Sequence, residues 1–150
     1  MLTEEQTLID DAARRFSRDV LAPGAAAREK AQAIEPAVFE GLAAMGLLGM
    51  TVSPDHDGSG ADYVSYALAL MAVAEGDGAV STVMSVHNAP YCAILERYGS
   101  AAQKAEVLTS AARGEYIGAF ALTESHAGSD ASALRTRAVL KGGRYVINGA

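Results

Sequence analysis

Cysteine is nearly absent from this sequence: Cys92 stands alone among 150 residues. A lone thiol excludes an internal disulfide framework and suits a reducing compartment. Positive charge is also scarce. Twelve Lys and Arg stand against eighteen Asp and Glu, a net charge of −6, and no basic cluster offsets that balance, so a nucleic-acid surface is excluded. No apolar run is long enough to span a bilayer. The opening MLTEEQTLIDDAARRF is acidic and amphipathic, with neither the apolar core of a signal peptide nor the Arg-rich, acid-poor character of a transit peptide. These absences lead to the expectation of a cytoplasmic protein.

Several chemistries lack their motifs. His56, His87 and His126 lie far apart, with no HxxxH-type spacing, so no metal site is expected. Ser81, Ser85 and Ser129 sit in no G-x-S-x-G elbow. Cys92 falls on an apolar helix and reads as core packing, because a nucleophile would need a base and an electropositive pocket. Asp55-His56-Asp57 reads as a solvated loop.

What is present begins with helices. Half the residues are hydrophobic, enough for one domain core. Thr3 and Gln6 form a capping-box pattern. Ile9, Ala13, Phe16 and Val20 then recur at helical spacing, and Pro23-Gly24 is expected to end that helix. Pro36 opens a second helix with Val38, Leu42 and Met45 on one face, stopped at Gly46. A turn-rich loop over 53–62 follows, and Asp62 caps a third helix carrying Tyr63, Tyr66, Leu70 and Val73. After EGDGA comes the apolar helix AVSTVMSVHNAPYCAIL, interrupted or kinked at Pro90. Ser100 and Gln103 make another capping box, opening a last helix that ends near Gly114.

Past residue 115 the period changes to two. YIGAFAL reads as a short strand. ALRTRAVL alternates, with Leu134, Thr136, Ala138 and Leu140 facing one way and Arg135, Arg137 and Val139 the other. Gly142-Gly143 signals a hairpin turn and RYVIN its return strand. The fold class is therefore α+β: an all-α domain over 1–115, then the beginning of an antiparallel β domain over 116–150. Three strands in so short a piece leave open edges, so the remainder of the sheet is expected to be missing.

Between the strands lies FALTESHAGSDASALRT. Glycine at position 128 lets backbone amides approach a ligand closely, and successive amides in such a turn form an anion-binding nest. Ser129 adds a hydroxyl, and Thr123 can bond a planar heterocycle. The residues alone leave two readings open: a ligand-binding turn, or a polar connection that binds nothing.

FALTESHAGSD resembles the flavin-binding signature of the acyl-CoA dehydrogenase family. EEQTLIDDAARRF is similar to the family's first helix. The 42–81 stretch, with GLLG and its Gly-rich loop, the ERYGSAAQKAEVLTSAARGE segment and the GGRYVINGA hairpin follow in the family's order. Ser125 stands where the family usually has Pro, which would loosen the turn without abolishing flavin binding.

The resemblance implies FAD as cofactor. It implies that Phe120, Ala121, Leu122 and Thr123 lie along the flavin ring, with Thr123 bonded to its pyrimidine part. Ala127, Gly128 and Ser129 would hold the pyrophosphate, and Ser129 would also approach the CoA side of an acyl-CoA substrate. The helix after EGDGA would line the acyl chain, making Thr82, Val83, Val86 and Pro90 candidates for a short or medium chain, with ordinary core as the competing reading. The implied reaction is the α,β-dehydrogenation of fatty-acid β-oxidation. Its electrons would pass to an electron-transfer flavoprotein, and the protein would be a homo-oligomer, a tetramer or a dimer. No catalytic residue is assigned. The family's catalytic Glu lies in a C-terminal helical domain that these 150 residues lack, so alone they are expected not to catalyse. Glu124 reads as support for the turn and His126 as a solvent-facing loop residue. Two rivals stand beside this reading: a flavin oxidase or monooxygenase of the same fold, and a truncated, non-catalytic binding or assembly module.

Overall fold

The structure is a computed structural model that describes residues 1–149. It divides into two compact units, one over residues 1–119 and one from Phe120 on. The first is helical: α1 (Glu4–Phe16), α2 (Ala22–Ala31), α3 (Pro36–Ala44), α4 (Tyr63–Gly76), α5 (Gly78–Val86), α6 (Ala93–Tyr98), α7 (Ala101–Gln103) and α8 (Thr109–Ala112).

The start of α1 forms as its capping pattern predicts. Thr3 Oγ1 accepts from the Gln6 amide at 3.1 Å, and Gln6 Oε1 accepts from the Thr3 amide at 3.0 Å. The Gln6 side chain also donates to Asp62 at 2.9 Å, and Asp62 in turn accepts from the Ser65 amide at 2.7 Å. One buried glutamine thus ties together the starts of α1 and α4.

The helix does not end at Pro23-Gly24. It passes through a π-helical turn, Ser17–Leu21, and continues to Ala31. The Ala22 amide bonds the Ser17 carbonyl five residues back. Pro23 then falls at the start of a new α-helical stretch, where its missing N–H costs little. The wide turn also shifts the buried face. Ser17 and Leu21 turn inward, and Val20 is left 48% exposed. Gly24 serves contact rather than termination, because a Cβ there would lie 2.4 Å from an Arg28 guanidinium nitrogen. The helix stops instead at Gln32, in the left-handed region at φ 52°.

Arg28 is nearly buried. Its Nε bonds Asp77 at 2.7 Å and its Nη1 bonds Glu35 at 3.0 Å, while Nη2 donates to the Leu21 carbonyl. Asp77 breaks the α4–α5 run and accepts from the amides of Ala79 and Val80 at 2.9 and 3.1 Å, so it caps α5 and neutralises Arg28 together. Pro36 starts α3, Val38 and Leu42 are buried, and Gly46 ends it at φ +70°.

Pro90 lies in a second π-helical turn, His87–Cys92, and a third, Lys104–Leu108, joins α7 to α8. One core gathers Ala13, Leu21, Leu42, Leu48, Val73, Val80 and Met84. A smaller one gathers Val52, Cys92, Leu108 and Ala111. Each fully buried leucine contributes about 1.5–3 kcal/mol relative to exposure.

Beyond the helices the structure differs from expectation. YIGAFAL forms no strand: among the described residues, 117–123 belong to no strand or bridge, and a β-prone segment without a partner stays outside any sheet. Two strands therefore stand in place of three: β1 (Arg137–Lys141) and β2 (Arg144–Asn148), antiparallel, with Val139 opposite Val146. β1 begins four residues later than the alternation suggests. Asp130 caps a 3₁₀ turn over Ala131–Ala133, and the amides of Arg135 and Thr136 are taken by Glu124, so none is left for a ladder. Gly142 and Gly143 both have positive φ, 56° and 77°, as a type I′ hairpin turn requires.

Candidate functional site

The turn after Thr123 is closed by its own backbone. The Glu124 amide donates to the Ala127 carbonyl at 2.8 Å, and the Ala127 amide returns a bond to the Glu124 carbonyl at 3.2 Å. The Glu124 side chain is buried and reaches forward, accepting from the Arg135 amide at 2.9 Å and the Thr136 amide at 2.8 Å. His126 Nε2 lies 3.3 Å from the same carboxylate. The Thr136 side chain and the amides of Arg135 and Thr136 hold the Glu124 carboxyl down to about 2. Glu124 therefore braces the turn, with both oxygens engaged.

That brace decides what the turn exposes. Ala127 is buried, while Gly128 and Ser129 face outward. A Cβ added at Gly128 would meet only the Thr123 methyl, at 3.8 Å. Thr123 and Gly128 are thus brought side by side, with open space over the glycine backbone. Phe120 and Leu122 present exposed apolar side chains on the approach. An apolar ledge, a threonine and an open glycine–serine backbone fit a ligand with a planar ring at one end and an anionic group at the other. FAD is such a molecule.

The acyl-chain candidates lie on α5 and the π turn after it. The Thr82 hydroxyl donates to the Gly78 carbonyl at 2.9 Å and is exposed. Val83, Val86 and Pro90 are half-buried and belong to neither core cluster. Their apolar surface is only partly consumed in packing.

His87 and Asn88 escape a reading that treats this helix as apolar. Both are fully buried. Asn88 accepts from the Met50 amide at 3.0 Å and donates to the Leu47 and Met84 carbonyls at 2.8 and 3.0 Å. His87 Nδ1 accepts from the Gly118 amide at 2.9 Å, and Nε2 lies 3.1 Å from the Ala111 carbonyl. Burial lowers the His87 pKa and keeps the ring neutral. The available signal was two adjacent polar residues inside an otherwise apolar run.

Cys92 is buried in the smaller core, and burial pushes its thiol up to about 12, with Glu96 adding to the effect. Among the described residues no three His, Cys, Asp or Glu side chains gather as a metal site would need, and no helix is long and apolar enough to cross a membrane.

Comparison with known proteins gives the setting. Residues 3–115 match the family "Acyl-CoA dehydrogenase, N-terminal domain". An acyl-CoA dehydrogenase of Bacillus subtilis is 37% identical over 148 residues, covering 99% of this chain and 39% of its own length. Butyryl-CoA dehydrogenase from Megasphaera elsdenii superposes with a TM-score of 0.91 at 31% identity, over 99% of this chain and 40% of that one. A glutaryl-CoA dehydrogenase from Mycobacterium smegmatis, in complex with FADH2, gives 0.93 at 31% identity, over 99% and 38%. The chain spans about two fifths of the length of these relatives.

Proposed function

The chain belongs to the acyl-CoA dehydrogenase family, and on that premise we propose that the protein carrying it uses FAD to desaturate a short or medium acyl-CoA between its α and β carbons. The observation that carries the reading is the braced turn, which leaves Gly128 and Ser129 open beside Thr123 and the exposed Phe120 and Leu122. The FADH2 held by the Mycobacterium smegmatis relative and the butyryl substrate in the name of the Megasphaera elsdenii one support it.

Bound FAD supplies a hydride acceptor for the substrate's β carbon. The residues of this chain do the holding. Phe120, Ala121 and Leu122 exclude water along the ring, and Thr123 bonds its pyrimidine edge. Ala127, Gly128 and Ser129 offer amides and a hydroxyl to the pyrophosphate, and Ser129 also meets the CoA side of the substrate. Thr82, Val83, Val86 and Pro90 line the acyl chain. Glu124 does not serve as the α-proton base, because a carboxyl held near 2 with both oxygens bonded is a weak proton acceptor. We assign that step to none of the described carboxylates. The electrons pass to an electron-transfer flavoprotein, the protein works as a homo-oligomer, tetramer or dimer, and its compartment is the cytoplasm.

The test is anaerobic mixing of the full-length protein with butyryl-CoA and its longer homologues. Expected are co-purified FAD, bleaching of the oxidised flavin by a short or medium thioester, and recovery of its colour on adding electron-transfer flavoprotein. Failure to retain FAD, or no bleaching with any acyl-CoA, overturns the proposal. Oxygen uptake during turnover would favour an oxidase instead.

A further inference from the structure

The connector that leads into the flavin turn is held from one place. The π-helical turn His87–Cys92 presents two side chains, four residues apart, to Gly118. The first is His87, whose Nδ1 accepts the Gly118 N–H at 2.9 Å. The second is Tyr91, so close that a Cβ on Gly118 would fall 2.2 Å from its ring. The same Tyr91 hydroxyl donates to Tyr116 at 3.3 Å, and the Tyr116 hydroxyl donates to the Val107 carbonyl at 2.6 Å. Residues 116–118 are therefore fixed at both ends.

The bonds set the tautomer of His87. A backbone amide can only donate, so Nδ1 is the acceptor. Nε2 faces the Ala111 carbonyl at 3.1 Å and carries the proton. A neutral ring with one acceptor and one donor fits this site, whereas a doubly protonated ring would set a second N–H against the Gly118 N–H.

We propose that His87 is a positioning residue for the chain that feeds the flavin turn: its Nδ1 holds the Gly118 amide, two residues ahead of Phe120, and FAD affinity depends on that bond. The inference rests on the reading of Phe120–Ser129 as the FAD site.

Two substitutions separate this role from general packing. In His87→Asn the side-chain oxygen takes the place of Nδ1 and can still accept from Gly118, but the donor to Ala111 is lost. In His87→Gln the terminal amide takes the place of Nε2 and can still donate to Ala111, but the acceptor for Gly118 is lost. Each forfeits one buried bond. A purely structural role would lower the thermal midpoint and FAD affinity of both alike.

The experiment uses the full-length protein and reads the FAD Kd after reconstitution, the thermal midpoint, and the exchange protection of the Gly118 amide. H87Q is expected to raise the FAD Kd about tenfold, the equivalent of one hydrogen bond, and to unprotect Gly118. H87N is expected to keep both near wild type while its midpoint falls as far as that of H87Q. Equal FAD Kd values for the two variants, or a Gly118 amide still protected in H87Q, overturn the proposal. Should H87Q not fold, H87N alone decides: a FAD Kd raised about tenfold while the Gly118 amide stays protected overturns the proposal. A wild-type protein without FAD would sink the flavin reading itself and His87's flavin role with it, while Gly118 exchange would still report whether His87 holds the connector.

Discussion

At the scale of single residues, buried charges are held in two different ways. Glu124 is fixed by backbone amides, so its carboxylate is favoured in the folded state. Its pKa lies below the ordinary glutamate value of about 4.3. Its contribution to stability is therefore complete above that value and is lost as pH falls toward about 2. In an NMR titration the Arg135 and Thr136 amide resonances should move with a midpoint well under the ordinary glutamate range. In Glu124→Gln that titration should vanish, and FAD binding should weaken. Arg28 and Asp77 form the other case, with side chains only 5% and 7% exposed. Replacing Arg28 with Met leaves Asp77 buried without its cation. Denaturant unfolding of Arg28→Met should show a loss of about 3–5 kcal/mol. Glu124 was readable as a brace because it sits inside its motif. The Arg28 partnership was not, since Asp77 lies 49 positions away and Arg28 itself falls beyond the expected helix end.

At the scale of elements, legibility follows the range of the interaction that decides each one. The boxes at Thr3–Gln6 and Ser100–Gln103, the Asp62 cap, Pro36, and the glycines at 46, 114, 142 and 143 are local, and all form as their residue types dictate. The π turns are not local in that sense, because nothing in a five-residue window marks an i→i+5 bond. They let Pro23 sit inside a continuous helical run and moved the inward face from Val20 to Leu21. YIGAFAL failed as a strand for a related reason: strand propensity needs a neighbour to pair with. In the candidate site, the motif nominates Thr123, Gly128 and Ser129, but the clamp on Gly118 depends on side chains some thirty positions earlier. The hairpin carries its own prediction. Gly143→Val places a branched side chain at positive φ, where the left-handed conformation costs roughly 1–2 kcal/mol. Cross-strand contacts between Val139 and Val146 should weaken in NMR, while Gly142→Asn should leave them intact.

At the scale of the molecule, the helical unit holds both core clusters, whereas every residue of the two strands is exposed. A lone two-stranded hairpin is marginal in water. Hydrogen exchange on residues 1–150 should therefore grade steeply, slowest at buried helical positions such as Leu42, Val73 and Met84, and fastest along β1 and β2.

The solitary cysteine turns that gradient into something that can be timed. Cys92 sits in the smaller core beside Val52, Leu108 and Ala111, and its buried thiol stays protonated at neutral pH. A thiol-directed reagent reacts with thiolate alone, so labelling must wait for this core to open. Cys92 is the one thiol within residues 1–150, so the adduct on its peptide carries the record. Mass spectrometry of timed samples should show no adduct on the Cys92 peptide of the native protein over the interval in which that of the denatured chain is fully modified. As denaturant is raised, the labelling rate then measures how often the π turn that bears His87 comes apart.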